Sequence, residues 1–268
     1  MKFVKRFKTE TDYNSYMGGD RLILPNISLI DEVSEMSEED SGVRFNPLPP
    51  PDPTNGHEYV DLGLPSGLKW AKCNIGAEKE SNYGLYFQWG DVVGYRRGQV
   101  GSGEGKKYFD WSDYKYCNGS NKTLTKYNNS SSYGTVDNLT TLELSDDAAS
   151  VNMGGSWRMP SLEEYEELLN NTTNTMTTVG GEFGRLLTSK TNNKTLFFPC
   201  SGYCQKGALK DTGGGSYQGY YWSSSVCTSG KDNHYSYIFY TRSEQNLDLC
   251  MTYKSYRSTG CAVRGVIE

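Results

Sequence analysis

Long hydrophobic runs are missing from this chain of 268 residues. No segment is long enough to cross a bilayer as a helix, so no membrane insertion is expected. A basic excess is missing too: the formal net charge is -5, which argues against nucleic acid as a partner. The basic residues Lys2, Lys5, Arg6 and Lys8 lack the apolar stretch that a signal peptide would place after them; Thr9, Glu10, Thr11 and Asp12 follow instead. No lipoprotein-type cysteine lies near the start. Synthesis and initial retention in a cytoplasm are therefore expected, and the sequons at Asn26, Asn121, Asn138 and Asn193 carry no weight.

Histidine is scarce, with only 2 residues, His57 and His234. The 7 cysteines are odd in number and form no zinc-type Cys-x-x-Cys pair. In a reducing compartment they read as small buried hydrophobes, and Cys200 and Cys204 are the close pair. No EF-hand pattern is present, and His234 has no carboxylate spacing suited to a metal. No metal and no cofactor are expected. No nucleophile–base pair stands out in the C-terminal stretch, and the reading is of a non-enzyme.

What the chain does have is tyrosine, 21 copies against 9 phenylalanines, and a C-terminal stretch from 219 to 268 rich in it. This stretch alternates like strands yet carries Tyr, Ser, Asn, Asp and His throughout. Rigid aromatics with small polar neighbours are the chemistry of a contact surface, so binding is expected rather than catalysis.

Three regions follow from composition. Residues 1–33 form an assembly or docking arm, with a helix over 9–17 ended by Gly18-Gly19 and strands over 21–24 and 27–30. The arm has too little apolar residue for a core of its own. Residues 34–56 form an acidic then Pro-rich linker, and Asn46-Pro-Leu-Pro-Pro-Pro-Asp-Pro53 imposes extended geometry. Residues 57–268 form one domain. It opens with strands at 58–62 and 68–71, and 94–135 reads as loop and turn. A helix over 145–152 follows, then one over 161–170 with a Ser161-x-x-Glu164 capping box. Strands are expected at 195–198, 235–241, 247–253 and 261–267, with hairpin-sized connections at 242–246 and 254–260. The class is α+β.

Faces can be guessed from alternation. Tyr235, Tyr237 and Phe239 share one, readable as half-buried strand or as contact surface. Leu247, Leu249 and Met251 read as core. Asn246, Asp248, Cys250 and Thr252 read as a solvated or binding face. Trp157, Arg158 and Trp222 read as scaffold, and Arg264 as a buried arginine with hydrogen-bonded partners.

Several ordered blocks carry a resemblance. Glu58-Tyr-Val-Asp-Leu-Gly-Leu-Pro-Ser-Gly-Leu-Lys-Trp-Ala-Lys-Cys-Asn-Ile-Gly-Ala77 comes first, then Tyr83-Gly-Leu-Tyr-Phe-Gln-Trp-Gly90. Asp147-Ala-Ala, Gly154-Gly-Ser-Trp-Arg-Met-Pro160, Phe198-Pro-Cys-Ser-Gly-Tyr203, Gly219-Tyr-Tyr-Trp-Ser-Ser-Ser225 and Ala262-Val-Arg264 follow. Together they resemble the Fibrobacter succinogenes major paralogous domain, common in Bacteroidetes and their phages, over about 57–268. The resemblance implies a C-type-lectin-like fold: two helices, small antiparallel sheets and many loops. That broad group includes the variable proteins of diversity-generating retroelements and the formylglycine-generating enzymes. Residues 7–16 and 24–31 resemble the N-terminal segment of structural proteins from gut Bacteroides phages.

The resemblance implies a variable segment at about 219–264. Retroelement diversification substitutes bases at adenines, chiefly in Asn codons, and an AAC-type codon changed there cannot yield Trp, Lys, Gln, Glu or Met. Trp222, Lys231, Glu244, Gln245, Met251 and Lys254 are therefore expected to be fixed by the template or to arise from other codons. The expected diversified, ligand-contacting set is Val226, Thr228, Asp232, Asn233, His234, Tyr235, Tyr237, Tyr240, Asn246, Asp248, Tyr253, Tyr256 and Ser258. The implied function is a receptor-binding protein on a virion surface that contacts a bacterial surface protein or glycan, with the arm docking to other virion proteins or to itself. Alternatives are a bacterial cell-surface adhesin and an oxidase like the formylglycine-generating enzymes, which would need a reactive thiol. The sugar-binding motifs Glu-Pro-Asn, Gln-Pro-Asp and Trp-Asn-Asp are absent, which argues against calcium-mediated sugar binding.

Overall fold

A computed structural model describes residues 3–7, 30–35, 52–213, 216–229, 232–244 and 247–268. The chain divides into two units, Met1–Pro50 and Pro51–Glu268. In the first, β1 (Phe3–Phe7) pairs antiparallel with β2 (Ile30–Glu35), with a register irregularity between Lys5 and Phe7. Lys5 and Arg6 of the basic run thus lie on a strand, and Ser34 and Glu35, expected in the linker, close the other. The helix expected over 9–17 and the strand over 21–24 lie outside the described residues, as does all but Ile30 of the strand over 27–30.

The second unit begins within the Pro-rich stretch. Asp52 accepts from the backbone of Thr54 and Gly56 in a tight turn. That turn is stitched to a distant loop: Ser156 N donates to Pro53 O at 2.8 Å, Asn55 Nδ2 to Met153 O at 2.7 Å, and Trp157 Nε1 to Thr54 O at 2.7 Å. Gly155, at φ +57, lets the strands of chain meet, because a Cβ there would sit 2.2 Å from Pro53 O. The expected linker therefore gives up its last residues to the folded unit.

Small antiparallel sheets make up this unit. β3 (Tyr59–Asp61) and β4 (Lys69–Ala71) pair first. Next come the helices α1 (Ala148–Met153) and α2 (Leu162–Asn171). Asp147 caps α1 through Ala149 N and Ser150 N. The expected capping box of Ser161 and Glu164 starts α2, and Glu164 also takes a two-pronged ion pair from Arg158. The expected first turns of the 145–152 helix form a short 3-10 turn, Leu144–Asp146, because Asp147 caps the helix behind it.

β5 (Thr172–Val179), β6 (Glu182–Ser189) and β7 (Thr195–Pro199) form a three-stranded sheet. The β5–β6 hairpin, turned by Gly180-Gly181, was not expected: its Thr-rich first strand shows no apolar alternation. β8 (Tyr203–Gln205) and β9 (Ala208–Lys210) make a short hairpin. The largest sheet runs β10 (Thr212–Gly213), β11 (Ser216–Val226), β12 (Tyr235–Glu244), β13 (Leu247–Tyr256) in that order. β14 (Val266–Ile267) leaves that sheet and pairs with β4. Residues 261–267 are thus no fourth meander strand. The segment 257–267 is buried throughout, running between the sheets, where Cys261 bridges Phe87 and Ala262 bridges Tyr221.

β11 and β12 are covered on both faces. Trp222 and Ile238 join one core with Phe87, Trp89, Tyr127, Trp157 and Val263. Tyr221 and Phe239 join another with Trp70, Tyr165, Leu168 and Phe198 beneath α2. Each large apolar side chain fully buried here contributes about 1.5–3 kcal/mol. Two of the buried tryptophans keep their N–H groups paired: Trp222 Nε1 donates to Phe87 O and Trp89 Nε1 to Ser223 O, each at 2.8 Å. Arg264 is wholly buried and donates to Asn74 Oδ1 and to the carbonyls of Ala71, Lys72 and Phe197.

The stretch 94–135 has the irregular backbone expected of loops. Its interior role was not expected: Tyr114, Tyr116, Leu124, Tyr127 and Tyr133 belong to the larger core. Among the described residues no helix is long and apolar enough to cross a membrane.

Candidate ligand-binding surface

The hairpin β12–β13 and the loop that feeds it carry most of the expected contact residues. The loop is held from behind. Asn233 Oδ1 accepts from Asn129 N at 3.1 Å, and Asn129 Nδ2 donates to Thr228 O at 3.2 Å. Tyr235 N closes a turn onto Asp232 O at 2.7 Å, and Cys227 N reaches Tyr235 O at 3.1 Å. This anchoring buries Asn233 to 1 % exposure.

Above that anchor rises a group of stacked rings. Tyr235 and Tyr256, opposite each other across the two strands, lie 4.6 Å apart at 19°. His234 stacks between Tyr256 at 5.6 Å and Tyr133 at 5.3 Å, and Trp111 meets Tyr256 edge-on at 6.2 Å. Lys122 sits 3.8 Å over Tyr133, and Lys254 sits 5.1 Å over Tyr235 while pairing with Asp232 at 2.6 Å. Such ring contacts and cation–π contacts each add roughly 0.5–1.5 kcal/mol, so the cluster is preorganised.

Its electrostatics follow from this packing. Burial pushes the Tyr235 hydroxyl up, with Tyr256 adding to the shift, and burial likewise raises Tyr237. His234 is held below its ordinary range, first by burial and then by Lys122, Arg257 and Lys254, against Asp232, which raises it. Lys254 lowers the Asp232 carboxyl and is itself raised by it. At neutral pH the surface therefore presents neutral rings and a neutral imidazole around one Lys–Asp pair.

A second row of rings crosses the sheet on the opposite face. Tyr203 lies 4.6 Å from Tyr220, Tyr220 5.0 Å from Tyr240, and Tyr240 5.9 Å from Tyr253. Tyr240 and Tyr220 both donate to Gln218 Oε1. Tyr253 at the end of the row is 54 % exposed.

The expected contact residues therefore separate. Asp232, His234, Tyr235, Tyr237 and Tyr256 come together, with Thr228 beside them on the same anchored loop; Asp248 and Tyr253 lie further along the outer strand. Val226, Asn233 and Ser258 are buried and cannot touch a ligand in this conformation: Val226 packs in the core, Asn233 anchors the loop, and Ser258 O accepts from Gln88 Nε2 at 3.0 Å. Tyr240 is nearly buried by its neighbours in the ring row. Asn246 lies outside the described residues. Asp248 has a structural partner: its carboxylate pairs with the buried Arg185, which also holds Asn174, Thr241 and Leu249 O.

The expected faces of β13 hold in part. Leu249 packs against the larger core as expected, whereas Met251 of the same face is 39 % exposed, and Cys250, expected on the solvated or binding face, packs toward the cluster beneath α2. Trp111, Lys122 and Tyr133 were missed altogether, although the aromatic density between Tyr108 and Tyr133 is too high for an ordinary solvated loop.

Concavities of about 220 and 630 Å³ lie elsewhere, around His57, Cys73 and Asn152 and around His57, Lys72 and Asn193. The ring cluster itself is an open surface, unlike the enclosed clefts that small ligands favour. Among the described residues no group of His, Cys, Asp and Glu could hold a metal ion. Comparison of the chain with protein-family models, with curated proteins and with solved structures finds no match.

Proposed function

We propose that this chain is a receptor-binding protein of a virion surface. It displays a diversified C-terminal patch on a C-type-lectin-like scaffold and contacts a protein or glycan on a bacterial surface. The observation that carries the reading is the ring cluster of Tyr133, His234, Tyr235 and Tyr256: preorganised, neutral, partly exposed, and rimmed by Lys122, Lys254 and Asp232. Stacked tyrosines with small polar neighbours supply contact area at little entropic cost. An open patch of this kind suits a macromolecular surface. Two helices and several small antiparallel sheets are what the proposed scaffold requires.

The blocks that resemble the family supply framework: Trp89, Trp157, Trp222 and Arg264 are buried. Diversification then falls on Thr228, Asp232, His234, Tyr235, Tyr237, Tyr253 and Tyr256. The oxidase alternative needs a thiolate. Burial raises all 7 cysteines, with Cys200 and Cys204 each pushed up to about 12, so none is primed for that chemistry.

Binding of the full chain to host bacterial cells tests the reading. Tyr235→Ala with Tyr256→Ala should abolish binding and leave the circular dichroism unchanged. Binding that survives this pair sinks the proposed surface. A gene neighbourhood lacking both a reverse transcriptase and a near-identical repeat that differs at adenines would remove the diversification.

A further inference from the structure

Among the described residues β13 is the outer strand of its sheet, and its outer edge is unusually regular. Its pairing with β12 runs without a bulge from Tyr235↔Tyr256 to Glu244↔Leu247. Arg257 N donates to His234 O on the same register. By ladder alternation, Leu249, Met251, Tyr253 and Ser255 then turn their backbone groups toward β12. Asp248, Cys250, Thr252, Lys254 and Tyr256 turn theirs outward. Tyr256 O takes Thr259 N at 2.8 Å, and no backbone group among the described residues bonds to the other four from outside.

Proteins protect such edges with prolines, bulges, short strands or charged side chains, or by covering them. β13 has no proline and no bulge, matches its neighbour's length of ten residues, and carries two charges of opposite sign, Asp248 and Lys254. It also concentrates exposed apolar surface. Met251, Tyr253 and Tyr256 are exposed, and no other element among the described residues carries more than one such side chain.

We propose that the occupant of this edge is a second copy of the same strand, paired antiparallel about a twofold axis at Met251. Charge complementarity favours this register. Centring on Met251 sets Asp248 opposite Lys254 of the other copy, twice over, beside the Arg185 and Asp232 with which each already pairs in its own chain, and Cys250 opposite Thr252. The outward-facing residues then meet as hydrogen-bonded pairs, as an antiparallel ladder requires. Leu249 meets Tyr253 and Met251 meets Met251, so the middle of one face of the seam is apolar, with Ser255 at its ends. A twofold contact of this kind is self-complementary and closed. It takes Asp248, Tyr253 and the rim residue Lys254 into the seam and leaves the rings of Tyr133, His234, Tyr235 and Tyr256 for a ligand. The pairing is independent of the ligand reading and of any association through residues 1–50.

Met251→Cys in the full chain tests it. Met251 pairs with itself as a non-hydrogen-bonded pair, where Cα atoms lie about 4.5 Å apart, within the span of a disulfide. Mild oxidation should double the apparent mass on a non-reducing gel, and mass spectrometry should recover a 251–251 linked peptide. Val151→Cys, on the exposed side of α1 and off the edge, should give no such dimer. Thr252→Pro removes an outward N–H, which an edge strand tolerates. It should halve the solution mass with circular dichroism unchanged. A chain that runs as a single copy at tens of micromolar, or one that associates without yielding the 251–251 bond, overturns the proposal.

Discussion

β12 and β13 are neighbours of equal length and similar composition, yet they serve different ends. β12 lies between β11 and β13. Its Ile238 and Phe239, adjacent in sequence, enter separate cores on the sheet's two faces. Among the described residues β13 has a strand partner on one side only, and none of its described side chains is fully buried. Tyrosine is core at Tyr221 and display at Tyr253, so residue type does not separate framework from surface. Place in the sheet does, and the strand order assigns the roles.

The largest effect expected from breaking this contrast is at Phe239. Phe239→Ala empties a site packed against Tyr165, Phe198 and Tyr221 and should cost about 3–5 kcal/mol. Tyr253→Ala on the outer strand should cost less than about 1 kcal/mol, measured by denaturant melts dilute enough to hold the chain as single copies. Equal costs would mean that the outer strand is framework after all.

The contrast was only half legible beforehand. Local signals carried through: the capping box at Ser161 and Glu164 depends on residues a turn apart, and so does the stop after α1 at Gly154. Alternation correctly grouped Leu249 with Met251, because side chains on a strand must alternate. Which face is covered depends on where α2 and the 94–135 loops come to rest, and no strand encodes that by itself. The loops hid their own part for a related reason: Tyr114, Tyr127 and Tyr133 enter the core from irregular backbone, which has no period to detect. The β5–β6 hairpin escaped notice because its threonines face solvent on much of both sides, and its evidence was the Gly180-Gly181 turn.

A smaller effect sharpens the boundary at Asp248. This residue sits on the display strand and its side chain is largely exposed, yet it supplies the carboxylate for buried Arg185. Asp248→Ala leaves that guanidinium with Asn174, Thr241 and carbonyl oxygens. The expected cost is about 1–3 kcal/mol, read from thermal or urea melts. Asp248→Asn should recover part of it by keeping the acceptor oxygen. A neutral Asp248→Ala would return the position to the display set and restore it as a candidate for diversification.

The smallest expected effect is a pH dependence confined to the display end. His234 is stacked between Tyr133 and Tyr256, and its folded value lies below its ordinary 6.5 because of burial first, with Lys122, Arg257 and Lys254 adding and Asp232 opposing. A histidine depressed on folding binds its proton more readily when unfolded. Its contribution to stability is therefore fully present above about 6.5 and is lost as pH falls toward the folded value, below which the loss levels off. The melting temperature should drop between pH 7.5 and 5, and part of that drop belongs to this ring. His234→Phe keeps the stack and removes the proton site, so the variant's drop should be shallower by the imidazole's share. Carboxylates other than Asp232 titrate alike in both proteins, and Asp232, lowered by Lys254, stays ionised over this range, so the difference between the two curves reports His234. Parallel curves would place the ring in a solvated setting and loosen the cluster on which the display end depends.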